Sequence, residues 1–298
     1  MTVTNPNDTW ANAVEAARPG TWRVASSGCR RQTAVLFDAE HLITSQHALH
    51  GAERVEVCDD TGTAHAAELV GSDDGLDLAL LRLAKPANPT SHAPLQRADL
   101  AALRVGQPVF ALGRPGAQIR ASLRIVGLLS DSFRTPRGGQ LERYIESDRG
   151  LPDGFEGGPL VDVEGRLIGM NSSSVLRGAD LSVSHADLTR SVAELVAHGR
   201  IRRGYLGVAC QTVRLPAALR SALSQRSGAL VLDTEAAGPA QAAGLVFGDV
   251  IVTLDGAAIR GPRELSSALR DKLGQPLDLG ILRNGVLQHV SVTAAERA

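Results

Sequence analysis

Residues Asp153–Asp162 read DGFEGGPLVD, and the rest of the chain has to be interpreted around them. Gly154, Gly157 and Gly158 let the backbone take positive φ angles and approach another group closely. A turn of this kind presents its central side chain, here Glu156, to a ligand or substrate, and the apolar PLV that follows runs on as a strand. Taken alone, the segment is equally well a solvated surface turn that happens to carry a glutamate. Residues upstream decide between the two.

Outward from this turn, the chain between Trp22 and about Asn171 is a series of short apolar or alternating runs. TAVLFD, HLITS, RVEVCD, LALLRL, PVFALG, LRIVGLL, YIESD and RLIGMN are the clearest. Short strands at this spacing, with almost no helical periodicity between them, argue for an all-β sandwich or barrel. A short helix is expected over residues 8–18, capped by Asp8 or Thr9 and ended by Pro19. Another is expected over Leu188–His198, with Asp187 as N-cap and Gly199 as the stop. After RIRRG (Arg200–Gly204) a second unit follows, with strand-like YLGVACQTV, GALVLDT, DVIVTLDG, LDLGILR and LQHVSVT. Helices are expected there near Pro239–Ala243 and Pro262–Leu273. The resulting division is an N-terminal helical segment (1–20), a mainly β domain (21–199) and a smaller α+β domain (200–298).

His47 lies where the strand of LITSQHAL ends. Asp77 opens the apolar strand of GSDDGLDLALLRL, and the glycine-rich turn follows. In this order, the three pieces resemble the trypsin-like serine proteases of the HtrA (DegP/DegS-like) family over residues 21–199. LRVGQPVFALGRPG and GFEGGPLVDVEGRLIGMN add to the match. GYLGV and PAQAAGLVFGDVIVTLDGAAI resemble the PDZ domain of the same family over residues 200–298. The resemblance implies a trypsin-like double β-barrel, with its active site in the cleft between two six-stranded barrels, followed by a small α+β PDZ domain. It implies that His47 is the general base, that Asp77 orients its imidazole, and that the backbone amides of Gly154 and Glu156 form the oxyanion hole. The family's nucleophilic serine, however, falls on Glu156.

A carboxylate is a poor replacement there. It is two methylenes longer than a serine hydroxyl, and its attack on a peptide would pass through a mixed anhydride; carboxylate nucleophiles act on glycosidic and phosphoryl centres instead. Two fates follow for Glu156: an ion pair with His47 that favours imidazolium, or a fold back into the oxyanion hole. Either closes the site. Ser172, Ser173, Ser174, Ser182 and Ser184 are read as structural, none being placed for His47 to reach, and His185 is read as incidental.

The PDZ resemblance implies capture of a peptide's C-terminal carboxylate by the GYLGV nest and addition of the peptide as a strand. Tyr205, Leu206, Gly207 and Val208 would line that groove, with Leu265 and Leu269 on the opposite wall and Arg203 as a possible charge assist. The expected function is an HtrA-like pseudoprotease that binds peptides or protein C-termini without efficient cleavage. Alternatives are an active serine-protease-like hydrolase of protein quality control with a rearranged site, and a regulatory subunit of an active paralogue. Unfolded proteins are further candidate partners and a homotrimer is a candidate assembly, with Trp10 and Trp22 read as core residues rather than trimer contacts.

Composition narrows the remaining choices. The chain has 298 residues, 43% hydrophobic and 3% aromatic, so its cores must be aliphatic. A net charge of −1 gives no attraction for nucleic acid or an anionic membrane. Cys29, Cys58 and Cys210 are too scattered for a disulfide framework. His41, His50 and His65 form no metal spacing, so neither metal nor cofactor is expected. MTVTNPNDTWANAV lacks the pattern of a secretory signal and no run is apolar enough to span a bilayer; the expected location is the cytoplasm.

Overall fold

The computed structural model describes residues 6–25 and 32–296; Cys29 lies outside them. The chain divides into two units, Met1–Ile201 and Arg202–Ala298.

In the first unit, β1 (Thr21–Val24), β2 (Gln32–Leu36), β3 (His41–Ser45), β4 (Arg54–Cys58), β5 (Ala64–Asp73) and β6 (Leu78–Leu83) close into an antiparallel barrel of order β1-β2-β3-β6-β5-β4. Strand periodicity explains β4: Val55 and Val57 turn inward while Arg54 and Glu56 face water. The apolar run Leu78–Leu81 of β6 has a different cause, because that part of the strand is covered on both faces, and only Arg82 beyond it is exposed. Ala79, Leu81 and Leu83 fill the barrel with Trp22, Leu36 and Leu42. Leu78 and Leu80 point the other way, into a cluster with Leu188, Val192 and Leu195 of the helix α2 (His185–His198).

β7 (Pro108–Gly113) and β8 (Arg120–Ser130) start the second barrel, and a small hairpin of β9 (Phe133–Arg134) with β10 (Gln140–Leu141) interrupts the run. With β11 (Tyr144–Ser147), β12 (Pro159–Val161), β13 (Leu167–Ser172) and β14 (Leu181–Ser184) the second barrel closes in the order β11-β14-β13-β12-β7-β8. Val109, Ala111, Val126, Ile145, Leu160 and Ile168 fill it.

Local chemistry shifts several helix ends from their expected places. The helix α1 spans Pro6–Ala17 and not 8–18, because a proline without an N–H is at no disadvantage in a first turn. Asp8 and Thr9 therefore lie inside it. α2 starts at His185, ahead of the expected Leu188. Ser184 is its N-cap, accepting from the Asp187 amide, and its hydroxyl donates to the Asp187 carboxylate at 2.7 Å. Asp187 thus completes a capping pair instead of being the cap, while Gly199 ends the helix at φ +69°. Trp22 is fully buried, but Trp10 is 38% exposed and caps Phe110 edge-on at 6.0 Å, so it is not a core residue.

The second unit is a five-strand path, β16-β17-β18-β20-β21, with short pairings at its margins. Its elements are β15 (Gly204–Tyr205), β16 (Val208–Arg214), α3 (Ala217–Leu223), β17 (Ser227–Thr234), α4 (Pro239–Ala242), β18 (Val250–Leu254), β19 (Ala257–Ala258), α5 (Pro262–Leu269), β20 (Pro276–Arg283), β21 (Val286–Thr293) and β22 (Ala295–Glu296). α3 was not foreseen from sequence, and α5 ends at Leu269 instead of 273. Ala229, Val231, Ile251, Leu279 and Ile281 form the core with Leu265 and Leu269. β16 ends the path, with one edge unpaired among the described residues and α5 beside it.

Candidate functional site

Three chain segments of the first unit converge on His47. It sits in the single 3-10 turn Gln46–Leu49 that follows β3, and Asp77 immediately precedes β6. β3 and β6 pair with Ser45 opposite Leu78, which sets the two residues side by side. Asp77 holds φ +52° and is 1% exposed; aspartate is among the few residues that tolerate this conformation. In return its backbone carbonyl accepts from the Gln46 amide at 3.0 Å and its carboxylate from the His47 amide at 3.0 Å. The same carboxylate holds His47 Nδ1 at 2.8 Å and accepts from the Ser174 hydroxyl at 2.5 Å. Ser172 adds a longer bond at 3.3 Å.

The third segment is the glycine-rich turn ahead of β12. Gly157 holds φ +74°, and a Cβ there would lie 2.4 Å from the Thr33 carbonyl oxygen and 2.6 Å from Thr44 Oγ1. Only glycine fits, for backbone and space alike. Thr33 fastens the turn, its hydroxyl donating to the Gly154 carbonyl at 2.6 Å and its amide to the Glu156 carbonyl at 3.3 Å. The amides of Gly154 and Glu156 find no acceptor among the described residues.

The Glu156 side chain turns toward the imidazole. Its Oε2 lies 2.8 Å from His47 Nε2, while Oε1 accepts a bond from the Ser173 hydroxyl. Of the two fates open from sequence, the ion pair is the arrangement adopted. His47 is thereby bracketed by carboxylates on both ring nitrogens. The Asp77 bond first, and the Glu156 bond second, lift its pKa to about 10 against the opposing effect of burial. Glu156 is held below the ordinary carboxylate range, chiefly by the bond to His47. Burial pushes Asp77 upward, but its bonds from His47 and Ser174 leave it below its ordinary value. At neutral pH the row is therefore carboxylate, imidazolium, carboxylate. An imidazolium has no lone pair with which to take a proton.

A cavity of about 760 Å³ adjoins the row, lined by Gln32, Arg120, Leu151, Gly154, Glu156 and Ser173. Ser172, Ser173 and Ser174 are the site residues that sequence reading set aside as structural. Their signal lay at the end of β13, the second strand after the glycine turn, which returns to Asp77 and Glu156. Ser182 bonds Asn171, Ser184 caps α2, and His185 Nε2 reaches the Ala98 carbonyl oxygen at 2.9 Å; none of them joins the row.

In the second unit, Tyr205, Leu206, Gly207 and Val208 line one wall of a groove of about 300 Å³ and Leu265 and Leu269 the other. The carbonyls of Leu206 and Gly207 accept from the amides of Ala240 and Glu235, each at 2.8 Å, and Gly207 takes φ +73°. Their own amides find no acceptor among the described residues. Tyr205 Oη donates to Glu235 at 2.5 Å, fixing the mouth of the groove.

A pair of antiparallel six-stranded barrels with a His–Asp pair and a glycine-rich turn in one unit, followed by a sheet with a loop-and-helix groove, is a trypsin-like peptidase fold joined to a PDZ domain. Family models agree, a trypsin-like peptidase domain matching residues 32–170 and a PDZ domain residues 204–294. The chain belongs to the HtrA/DegP family. It is 31% identical, over 88% of its length and 55% of the relative's, to a probable periplasmic serine endoprotease DegP-like of Halomonas elongata. With the periplasmic pH-dependent serine endoprotease DegQ of Escherichia coli it shares 32% identity over 85% of this chain and 56% of that one. The chain spans about half the length of the curated relatives it matches. Among solved structures, an HtrA-type protease AlgW with decapeptide superimposes with a TM-score of 0.72 at 26% identity, over 97% of this chain and 99% of that one. A serine endoprotease from Yersinia pestis gives 0.73 at 25%, over the whole of both.

These relatives overturn the cytoplasmic expectation, since they are named as periplasmic proteins. The composition of residues 1–14 says nothing of the compartment in which the folded domains work. Among the described residues no helix is long and apolar enough to cross a membrane.

Proposed function

We propose that the chain is a cleavage-impaired member of its family, binding peptides or protein C-termini through the PDZ groove, in the cell envelope like its named relatives. The observation that carries this reading is the Glu156 carboxylate 2.8 Å from His47 Nε2, taken with the motif resemblance that sets Glu156 where the family has its serine. His47 would have to be neutral to act as a base, and two carboxylates favour its charged form. The amides of Gly154 and Glu156, which find no acceptor among the described residues, are the donors an oxyanion hole would use. In the groove, the free edge of β16 offers backbone partners for an added strand, and the amides of Leu206 and Gly207 offer donors for a terminal carboxylate.

The test is cleavage of unfolded casein by the native chain, by Glu156→Ser and by the double variant Glu156→Ser/His47→Ala. Little or no turnover by the native chain and a gain in Glu156→Ser that the double variant loses is the expected pattern. Serine-inhibitor-sensitive cleavage by the native chain would refute the reading.

One observation favours a second reading, a rearranged hydrolase: the Ser173 hydroxyl bonds Glu156 and lines the cavity. Glu156 as its base is weakened by the same ion pair that lowers its pKa. An ester-hydrolase activity abolished by Ser173→Ala would establish that alternative.

A further inference from the structure

Away from His47, the first barrel contains a second group of polar side chains that the function above leaves unexplained. Asp59 and Asp60 occupy the turn between β4 and β5, and His92 comes from the segment that follows β6. One ligand atom from each lies within 4.8 Å of the others. His92 is 7% exposed, and its Nε2 lies 3.0 Å from Asp60 Oδ1 and 3.5 Å from Asp59 Oδ2. Neither His92 Nε2 nor Asp60 Oδ1 has a hydrogen-bond partner, although both atoms are buried. The two atoms face each other as a buried ion pair that lacks hydrogen-bond geometry, which leaves both with capacity for a further ligand.

The two separations from His92, 3.0 and 3.5 Å, are close to those in a metal's coordination shell. With bonds of about 2.1 Å, neighbouring ligands of a tetrahedral or octahedral ion are roughly 3.0–3.4 Å apart. Asp59 is held rigidly for that role. Its Oδ1 accepts from the Thr61 amide, the Thr61 hydroxyl and the Thr63 amide, at 2.9, 2.7 and 3.0 Å, which turns Oδ2 toward His92. His65 Nε2 reaches the same Oδ2 at 2.8 Å, the kind of outer bond that orients a ligating carboxylate. Trp22 packs against both rings, at 4.9 Å from His65 and 5.3 Å from His92, and screens the group from water. Arg114 is an opposing charge nearby, with Nη1 3.5 Å from the Asp60 carbonyl oxygen; its Nε and Nη1 are bonded to the carbonyls of Thr21 and Ala117.

We infer that Asp59, Asp60 and His92 form a binding site for a divalent transition-metal ion, of the zinc or cobalt class. One imidazole with two carboxylates suits such ions better than magnesium or calcium, which take oxygen ligands. Bound there, the ion would tie the β4–β5 turn to the segment after β6 and so stabilise the first barrel.

Trp22 makes the test specific. Cobalt chloride is titrated into the full chain carrying Trp10→Phe, so that Trp22 is the sole indole, and fluorescence and visible absorption are followed together. Expected are Trp22 quenching and cobalt ligand-field bands that saturate at one ion per chain. Asp60→Asn and His92→Gln, each checked for folding by circular dichroism, should both weaken binding by at least about tenfold. Zinc chloride should displace the cobalt and raise the melting temperature of the first unit by about 5–10 °C at a hundredfold excess over Kd. No quenching, or quenching unchanged in both variants, would overturn the site. So would a His92→Gln chain that is destabilised equally with and without zinc, the result expected of an ion pair alone.

Discussion

Replacing Glu156 by alanine should return His47 part of the way to an ordinary imidazole. In the native chain its midpoint is raised from 6.5 to about 10. At about 1.4 kcal/mol per pH unit, that corresponds to roughly 4–5 kcal/mol between its protonation states. A raised folded value means that the contribution is complete below pH 6.5 and is lost as pH climbs through about 10. Asp77 and Glu156 are held below their ordinary values of 3.8 and 4.5, so their contribution is present above those values and lost as pH falls. The row therefore stabilises the fold most between about pH 4.5 and 6.5 and progressively less toward pH 10. Asp77 is the larger cause of the rise and stays in Glu156→Ala, so the midpoint should fall by about one unit or more yet remain above 6.5. The associated loss of stability near pH 7 is on the order of 1–2 kcal/mol. Carbon-detected NMR of the His47 ring across pH 5–11, with urea unfolding at matching pH, measures both. A native His47 titrating near 6.5, or a midpoint that Glu156→Ala leaves unmoved, would refute the ion-pair account and the inactivation argued from it.

Two further substitutions probe the supports of the sites. Gly157→Ala adds a Cβ where the Thr33 carbonyl lies 2.4 Å away, at a φ of +74°. It should cost more than about 2 kcal/mol and lower the melting temperature of the first unit, read by calorimetry, with the PDZ transition unchanged. Leu265→Ala removes a side chain that is 3% exposed and shared by the PDZ core and the groove. It should destabilise the second unit by about 2–5 kcal/mol and weaken binding of a C-terminal peptide in fluorescence anisotropy, leaving the first unit's melting as it was.

Much of the fold was legible because local chemistry and tertiary environment agree. The alternating RVEV of β4 and the apolar LALL that opens β6 each carry in sequence the burial they have in the barrel. Helix ends were less legible, since Ser184 and Asp187 both have cap chemistry and only the backbone shows which of them caps. α3 was missed because it is only seven residues long, has no side-chain cap, and none of its residues is fully buried. Trp10 was misplaced because hydrophobicity does not distinguish a residue that fills a core from one that lies across its rim.

The sequence by itself determined which groups are available for chemistry: a histidine after one strand, an aspartate before another, and a glutamate inside a turn that only glycines could build. Strand periodicity and turn residues, being local properties, marked the first domain as all-β, and the motif resemblance implied the double barrel and the PDZ fold. Which way Glu156 points was decided by tertiary structure alone. Its carboxylate can reach its own turn's amides or His47, and the choice rests on a Ser173 hydroxyl and an imidazole brought there by β13 and β3. The same holds for Asp59, Asp60 and His92, whose linear spacing suggests nothing. They meet because barrel closure brings the turn after β4 against the segment after β6, and a ligand set is a matter of distance in space and not of distance along the chain.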